Sequence, residues 1–173
     1  MRISTKTMAI MAMTAGVYAA VTIFLTGPLS FGPFQFRMAE SLNLLAFFNP
    51  IFAPAVTLGV LISNLASPYG IIDVILGTSA TAIAVALVVL TKKITNNLLL
   101  ASLWPTLINA LMVPVLIIIG IGDGFTWAVY WSLAASVGFG QFVVVNVFGY
   151  TLCRVLMKTY PNFATVLASI HKR

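Results

Sequence analysis

The chain reads LAFFNPIF from residue 45 to residue 52, and this stretch decides how many helices it contains. It lies inside an apolar segment, residues 36–67, that is long enough for one continuous helix. Pro50 lacks a backbone N–H, and its ring clashes with the preceding turn, so a helix is expected to break there. The sequence therefore predicts two short helices, 36–48 and 50–67, instead of one long helix.

The composition places the protein in a membrane. Of its 173 residues, 61% are hydrophobic and 7% are charged, and the mean hydropathy is +1.08. A soluble domain of this length could not bury so much apolar surface. The sequence predicts an all-α integral membrane protein with a single domain over residues 1–173.

Further apolar runs of the length needed to cross about 30 Å of hydrocarbon flank this segment. The first run follows two basic residues, as in a signal peptide, but its length favours a span that is retained. Glycine, proline, asparagine and lysine residues separate the runs. The six predicted transmembrane helices are 7–26, 36–48, 50–67, 71–91, 98–119 and 125–152.

The basic residues predict the orientation of these helices. The net charge is +6, and Lys and Arg fall in short clusters at the ends of apolar runs, which is typical of orientation signals and not of a nucleic-acid surface. Lys6 and Lys93 share the cytoplasmic side if an even number of crossings separates them, which the break at Pro50 provides. Two more crossings return Arg154 to that side. Both termini are therefore predicted to be cytoplasmic, and Arg37 is the basic residue expected at the outer side.

Few side chains offer catalytic or metal chemistry. The single cysteine, Cys153, excludes an internal disulfide, and the single histidine, His171, leaves no cluster of metal ligands. The sequence contains no Walker motif and no pairing of a nucleophile with a base. It therefore predicts neither an enzyme nor an ATPase, and it implies no metal and no cofactor.

Arg37 and Glu40 need an explanation, because an ionised side chain at membrane depth costs roughly 2.5–3.5 kcal/mol. They lie three residues apart, one turn along a predicted helix, and are expected to form an ion pair. Asp73 begins the fourth predicted span and Asn64 lies near the end of the third, so the four side chains are predicted to converge at the outer side. They either bind a ligand or tie helices together, and for Asp73 the helix dipole is a further structural explanation. The third acid, Asp123, is expected to be solvated in an external loop.

Three further residues are candidates for the same site. Asn109 lies midway along the fifth predicted span between two prolines, where it either contacts a ligand or repairs the helix. Gln141 lies near the middle of the sixth predicted span and is an expected ligand contact. Phe34 lies in a loop rich in Gly, Pro and Phe. It either covers a flat ligand as part of a lid or belongs with the aromatic residues of the membrane interface.

The first predicted span carries a stripe of small residues. Ala15 and Ala19 are four residues apart, and Ala12, Gly16 and Ala20 extend the pattern. Small residues at this spacing allow another helix to approach closely, from the same chain or from a partner. The pattern alone leaves both possibilities open.

Four segments resemble a known family. They are residues 30–42, 64–68, 73–78 and 105–110, and they extend along nearly the whole chain. The sequence resembles the queuosine-precursor transporter family QueT in these segments and in its expected six-span size. The resemblance implies the substrate-binding S component of an energy-coupling factor (ECF) transporter in a prokaryotic plasma membrane.

The resemblance also implies partners and residue roles. The implied partners are a membrane coupling (T) subunit and two cytoplasmic ATPases, and the docking face of the first helix maps to Ala15 and Ala19. The implied substrate is a 7-deazaguanine captured outside the cell. The expected substrate-binding residues are Arg37, Glu40, Asn64, Asp73, Asn109, Gln141 and Phe34.

The form of the ligand stays open. The family pattern carries an acid after Gly140, where this chain has Gln141. A carboxylate can accept adjacent N–H groups of a deazaguanine in parallel, and an aminomethyl precursor adds a cation that needs a second acid. Glu40 and Asp73 can divide these tasks, whereas the loss of an acid at 141 suits a less cationic precursor such as the nitrile. An S component for biotin or riboflavin and a structural membrane subunit are the remaining alternatives.

Overall fold

The structure, a computed structural model, describes residues 4–32, 34–122 and 124–170, so Asp123 and His171 lie outside the described residues. All regular elements in these ranges are helical. In chain order they are α1 (Thr5–Leu25), α2 (Gly27–Ser30), α3 (Met38–Phe48), α4 (Phe52–Asn64), α5 (Asp73–Ile94), α6 (Leu98–Ile121), α7 (Trp127–Thr159) and α8 (Phe163–Ser169).

Four of these helices, α1, α5, α6 and α7, are long and apolar enough to cross a membrane. The prediction of an all-helical chain compatible with a membrane protein is therefore confirmed. Helices also occupy all six predicted positions. Two of them, α3 and α4, are apolar but shorter than a usual span, so the number of crossings stays a prediction.

The break at Pro50 is confirmed. Asn49, between α3 and α4, has an extended backbone with φ −149° and ψ 124°. Its Oδ1 accepts a hydrogen bond from the backbone N of Ile51 at 3.1 Å, and its Nδ2 donates to the carbonyl of Leu167 at 2.8 Å. The asparagine side chain thus provides polar contacts at a turn where the helical hydrogen bonds are interrupted.

The end of α7 differs from the prediction. The helix continues to Thr159 instead of ending at 152, and α8 follows where no helix was predicted. The apolar run ends near residue 152, but the next residues include Arg154 and Lys158, which are good helix formers. Hydropathy predicts only the apolar part of the helix, and the helix extends beyond that part.

The two ends of the described chain lie at the same end of the bundle. Thr7 Oγ1, in the first turn of α1, donates to the carbonyl of Ile170 at 3.2 Å. Lys92, near the end of α5, places its Nζ 4.6 Å from the ring centroid of Phe47 in α3. We call this the basic end, defined by Lys92, Arg154 and Lys158.

The contact between α1 and α4 depends on small residues. A Cβ on Gly59 in α4 would lie 2.7 Å from the Cβ of Tyr18 and 2.9 Å from the carbonyl oxygen of Ala15. Ala15 and Ala19 share a face of α1 and are 2% and 7% exposed. These small residues let the two helix backbones approach closely inside the protein.

This packing corrects the assignment of Ala15 and Ala19 to a partner surface, because side chains buried within the chain cannot contact a second protein. The small residues that face outward are Ala12, Gly16 and Ala20, all of which are exposed. They repeat every four residues and therefore lie along one side of α1.

Gly59→Ala should lower the midpoint of thermal unfolding in detergent by several degrees, since the new Cβ collides with Tyr18 and Ala15 unless α1 moves. Overpacking of this kind costs about 1–3 kcal/mol. Gly16→Ala is the matched control, because nothing lies within 4 Å of a Cβ at that position. Equal midpoints for the two variants would contradict the close approach of α1 and α4.

Candidate functional site

Several helices depart from α geometry beside the polar residues that the sequence singled out. α3 is a 3-10 helix from Met38 to Leu44, and α5 begins with a π-helical segment, Asp73–Gly77. α7 contains another π-helical segment, Phe142–Gly149, directly after Gln141. Long 3-10 runs and π-helical segments are uncommon, and π segments occur frequently at functional sites.

Arg37, Asn64 and Asp73 form what we call the arginine cluster. Arg37 Nη2 donates to Asn64 Oδ1 at 2.9 Å and lies 3.6 Å from Asp73 Oδ2. Asn64 Nδ2 donates to the backbone carbonyl of Asp73 at 3.0 Å. The three residues are buried, with 4%, 0% and 2% exposure. A carboxylate and an amide therefore compensate the buried guanidinium, and the cluster connects the loop before α3 with α4 and α5.

Two residues shape the surroundings of the arginine cluster. A Cβ on Gly77 would overlap the Asp73 carboxylate and lie 2.9 Å from Asn64 Nδ2, so only glycine leaves room for both side chains. The Phe31 ring centroid lies 5.0 Å from Arg37 Cζ, which is within the range of a cation–π contact.

Glu40 is the centre of a second group, the glutamate cluster. Tyr18 Oη donates to Glu40 Oε1 at 2.5 Å. Asn43 Nδ2 donates to Oε2 at 2.5 Å, and Asn109 Nδ2 lies at 3.5 Å from the same oxygen. Glu40 is only 1% exposed. Neutral donors from α1, α3 and α6 thus stabilise the carboxylate.

The predicted ion pair between Arg37 and Glu40 is wrong, because among the described residues Arg37 pairs with Asp73. Arg37 precedes the 3-10 helix and has φ −94° and ψ 91°, an extended conformation. The helical spacing that brings residues three apart together does not apply to such a residue. The predicted convergence of Arg37, Asn64 and Asp73 is confirmed, while Glu40 joins Asn109 in the other cluster.

Gln35 and Gln141 lie where the loop before α3 rests on α7, and they are 2% and 1% exposed. A Cβ on Gly140 would overlap the Phe34 carbonyl oxygen, so the loop backbone lies directly on α7 beside Gln141. Gln35 has φ 45°, a left-handed conformation that is uncommon for residues other than glycine. Strained residues of this kind often cluster at ligand-binding sites.

The ring of Phe34 belongs to neither cluster. It is 62% exposed, although the backbone of the same residue lies against Gly140. The loop aromatic that contacts a charged residue of the candidate site is Phe31. The loop backbone and Phe31, and not the Phe34 ring, therefore cover the candidate site.

Most of the buried polar atoms that lack a hydrogen-bond partner belong to the two clusters or to the contact between the loop and α7. In the described residues two of these atoms belong to threonines, Thr22 and Thr81. The others are Gln35 Nε2, Arg37 Nε, Asn43 Oδ1, Asp73 Oδ2 and Gln141 Oε1. An unsatisfied buried polar group costs about 1–3 kcal/mol, so a set of such groups requires a reason.

Asn146 provides the contrast. Its Oδ1 lies 2.6 Å from Thr106 Oγ1, and its Nδ2 donates to Ser102 Oγ at 2.8 Å. Both ends of the amide are thus paired between α6 and α7, as a structural contact between helices requires. The amides of Gln35 and Gln141 do not follow this pattern.

Sequence reasoning missed Tyr18, Gln35 and Asn43. Gln35 and Asn43 flank Arg37 and Glu40 in one short segment, and Asn43 follows Glu40 by three residues, so their positions gave a usable signal. Tyr18 lies in an apolar helix, where its sequence position does not distinguish a buried donor from an interfacial tyrosine.

Comparison with known proteins gives a match over most of the chain. Residues 8–158 match the family model described as QueT transporter. A curated relative, described as queuosine precursor transporter QueT from Lactococcus lactis subsp. cremoris (strain MG1363), is 41% identical over 83 residues. This alignment covers 45% of the chain and 48% of the relative, so the match spans about half of the relative's length. No solved structure matches the chain significantly.

The effect of Asp73→Asn on the free energy of unfolding should depend strongly on a second change at Arg37 and weakly on one at Glu40. Removing one partner of a buried ion pair costs about 3–5 kcal/mol, because the other charge is left uncompensated. Arg37→Gln removes that charge, so the double variant should lose less unfolding free energy than the two single variants together, by at least about 1 kcal/mol. Unfolding free energies in mixed micelles measure both cycles. A larger coupling between Asp73→Asn and Glu40→Gln would contradict the observed pairing.

Proposed function

The chain belongs to the QueT transporter family, and we propose that it is the S component of an ECF importer that binds a queuosine precursor of the 7-deazaguanine class. Membership of this family makes the protein a transporter and not an enzyme. The observation that carries the substrate proposal is the set of unpaired buried polar atoms in the two clusters and in Gln35 and Gln141. We place the ligand there.

A 7-deazaguanine base would supply the missing partners. The base has adjacent N–H donors and a carbonyl acceptor. Asp73 Oδ2 and Gln141 Oε1 are acceptors without a hydrogen-bond donor, whereas Gln35 Nε2 and Arg37 Nε are donors without an acceptor. Paired N–H groups facing a carboxylate make strong, directional hydrogen bonds. Both edges of the base thereby find complementary groups.

The charges favour the aminomethyl form of the precursor. Arg37 pairs with Asp73, so Glu40 keeps only neutral donors among the described residues. When all three residues are ionised, the two clusters carry one positive and two negative charges. A ligand with one cationic amine compensates the excess, and the neutral nitrile form does not.

Ligand entry requires the loop before α3 to move. The polar side chains of both clusters are buried, and the loop backbone covers Gly140 beside Gln141. The loop is attached to the connection between α4 and α5 by Tyr69, whose Oη donates to the carbonyl of Phe31 at 3.1 Å. We assign this loop the role of a lid that closes over bound substrate.

Six membrane crossings follow if α3 and α4 each cross. At one end Arg37 contacts Asp73, and at the other Phe47 contacts Lys92. Asp73 and Lys92 are separated by about 28 Å along α5, close to the thickness of the hydrocarbon core. The 3-10 geometry lengthens α3, since it rises about 2 Å per residue. An even number of crossings puts the basic end in the cytoplasm and the two clusters outside.

The outer face of α1 is our proposed contact for the coupling subunit, which acts with two ATPases. Ala12, Gly16 and Ala20 leave a shallow strip along that face. The apolar side chains beside it, Met13 and Val17, are 69% and 51% exposed. A partner helix can approach closely along such a strip.

Gln141→Leu should abolish stabilisation by ligand while leaving the unliganded protein at least as stable as the wild type. Replacing an unpaired buried amide by an apolar side chain removes a cost of about 1–3 kcal/mol. Wild-type protein heated with 7-aminomethyl-7-deazaguanine should gain stability as RT ln(1 + [L]/Kd), and the variant should gain none. Gln35→Leu should behave in the same way.

Asn146→Leu is the matched control, since it removes a paired amide from the same helix as Gln141. It should lower the unfolding midpoint but keep the stabilisation by ligand. Guanine, biotin and riboflavin, added in parallel, test the other substrate classes. Ligand binding by Gln141→Leu at wild-type affinity, or stabilisation of the wild type by biotin or riboflavin alone, would refute the proposed site or substrate.

Gly16→Leu should prevent co-purification with the coupling subunit and ATPases without weakening ligand binding. The larger side chain fits the isolated chain, because nothing lies within 4 Å of a Cβ on Gly16, but it keeps a partner helix away. Ala135→Leu, on an exposed position of α7, is the control and should keep the complex. Unchanged complex formation by Gly16→Leu would exclude this face from docking.

A further inference from the structure

Two grooves at the basic end share lining residues from the last turns of α7. The first has a volume of about 520 Å³ and lies between Lys92, Arg154 and the connection from α5 to α6. The second has a volume of about 590 Å³ and is lined by Arg154 and Lys158. Tyr150, Arg154 and Met157 line both grooves. Three cationic side chains therefore line this pair of neighbouring grooves.

An apolar groove continues from these grooves toward the middle of α7. It has a volume of about 420 Å³ and shares Thr151 and Val155 with the second groove. Its other lining residues are apolar: Val143, Val147, Phe148 and Leu152. These residues repeat at intervals of three and four along the helix, so they form one continuous face.

The cations of the grooves have no carboxylate partner among the described residues. The sequence has three acidic residues, and two of them, Glu40 and Asp73, are buried in the clusters at the other end. The third, Asp123, follows α6 and lies outside the described residues. Lys92 Nζ contacts only neutral groups, Asn96 Oδ1 at 2.5 Å and the Phe47 ring. Because all three cations are exposed, an anion from outside the described residues can reach them.

We propose that the three grooves bind one anionic phospholipid from the leaflet at the basic end. The phosphate lies among Lys92, Arg154 and Lys158, and an acyl chain lies in the apolar groove along α7. Arginine suits this role because its planar guanidinium can bind phosphate oxygens in a bidentate manner. This site is separate from the proposed substrate site and does not depend on it.

The length of the grooves supports a lipid as the occupant. Val143 and Arg154 are separated by about 16 Å along the helix axis, which is close to half of the roughly 30 Å hydrocarbon thickness. Cationic groups at one end and apolar walls over the depth of one leaflet match a headgroup with its acyl chain. An acidic segment of a soluble protein would use the cations but not the apolar groove.

The test is equilibrium binding of a fluorescent phosphatidylglycerol to the full chain in neutral detergent, with phosphatidylcholine as the reference lipid. The wild type should bind phosphatidylglycerol at least tenfold more tightly. Lys92→Gln, Arg154→Gln and Lys158→Gln should each weaken binding by about fivefold, the effect expected of one basic residue near an anionic headgroup. Lys93→Gln is the matched control, because this exposed lysine is adjacent in sequence but does not line the grooves. Unfolding midpoints verify that each variant is folded.

Two further measurements, a displacement experiment and a variant of the apolar groove, identify the source of the anion. Glycerol phosphate should not displace the lipid at equal concentration, and Val147→Trp, which fills the apolar groove, should weaken lipid binding. Full displacement by glycerol phosphate would make this a site for soluble anions and overturn the proposal. Equal affinity for the two lipids, or an equal loss in Lys93→Gln, would also overturn it. Unchanged lipid binding by the groove variants together with loss of a protein partner would identify a protein interface instead.

Discussion

A buried ion pair between Arg37 and Asp73 governs the structure of the end of the bundle where the clusters lie. The guanidinium cannot remain charged among apolar helices without a nearby carboxylate, and Asn64 connects the two residues. Local departures from regular structure accompany this pair: the extended backbone of Arg37, the π-helical start of α5 and the glycine at position 77. The pair fixes the loop before α3 relative to α4 and α5, and the loop in turn covers Gln141.

Hydropathy and proline chemistry predicted the helices well, because both act locally. The break at Pro50 and the meeting of Arg37, Asn64 and Asp73 followed from them. The partner of Arg37 was not predicted correctly, because an extended residue beside a 3-10 helix directs its side chain differently from a helical residue. The sequence also could not predict which side of α1 faces inward, because small residues are spaced four apart on both of two neighbouring faces. The role of Tyr18 depends on the packing of α1 against Glu40, which is a tertiary contact.

We propose that polar groups with all partners in place have structural roles in this molecule and that unpaired ones contact ligand. Asn146 has both ends of its amide paired and holds α6 to α7. Gln35, Asn43 and Gln141 each leave a buried polar atom without a hydrogen-bond partner. An apolar bundle gains nothing from such groups by themselves, since each costs free energy without a partner. A ligand that pairs them recovers that free energy on binding, which makes recognition specific for a particular donor and acceptor pattern.

The proposed substrate site lies at the two clusters, away from the basic end and from the outer face of α1. Hydrogen–deuterium exchange of the purified protein, with and without 7-aminomethyl-7-deazaguanine, tests this location most directly. Bound ligand should slow exchange of backbone amides in residues 34–43 and 64–77, because the loop closes and the arginine cluster becomes fully paired. Protection confined to residues 92–99 and 150–158, with none near Arg37 or Asp73, would contradict it.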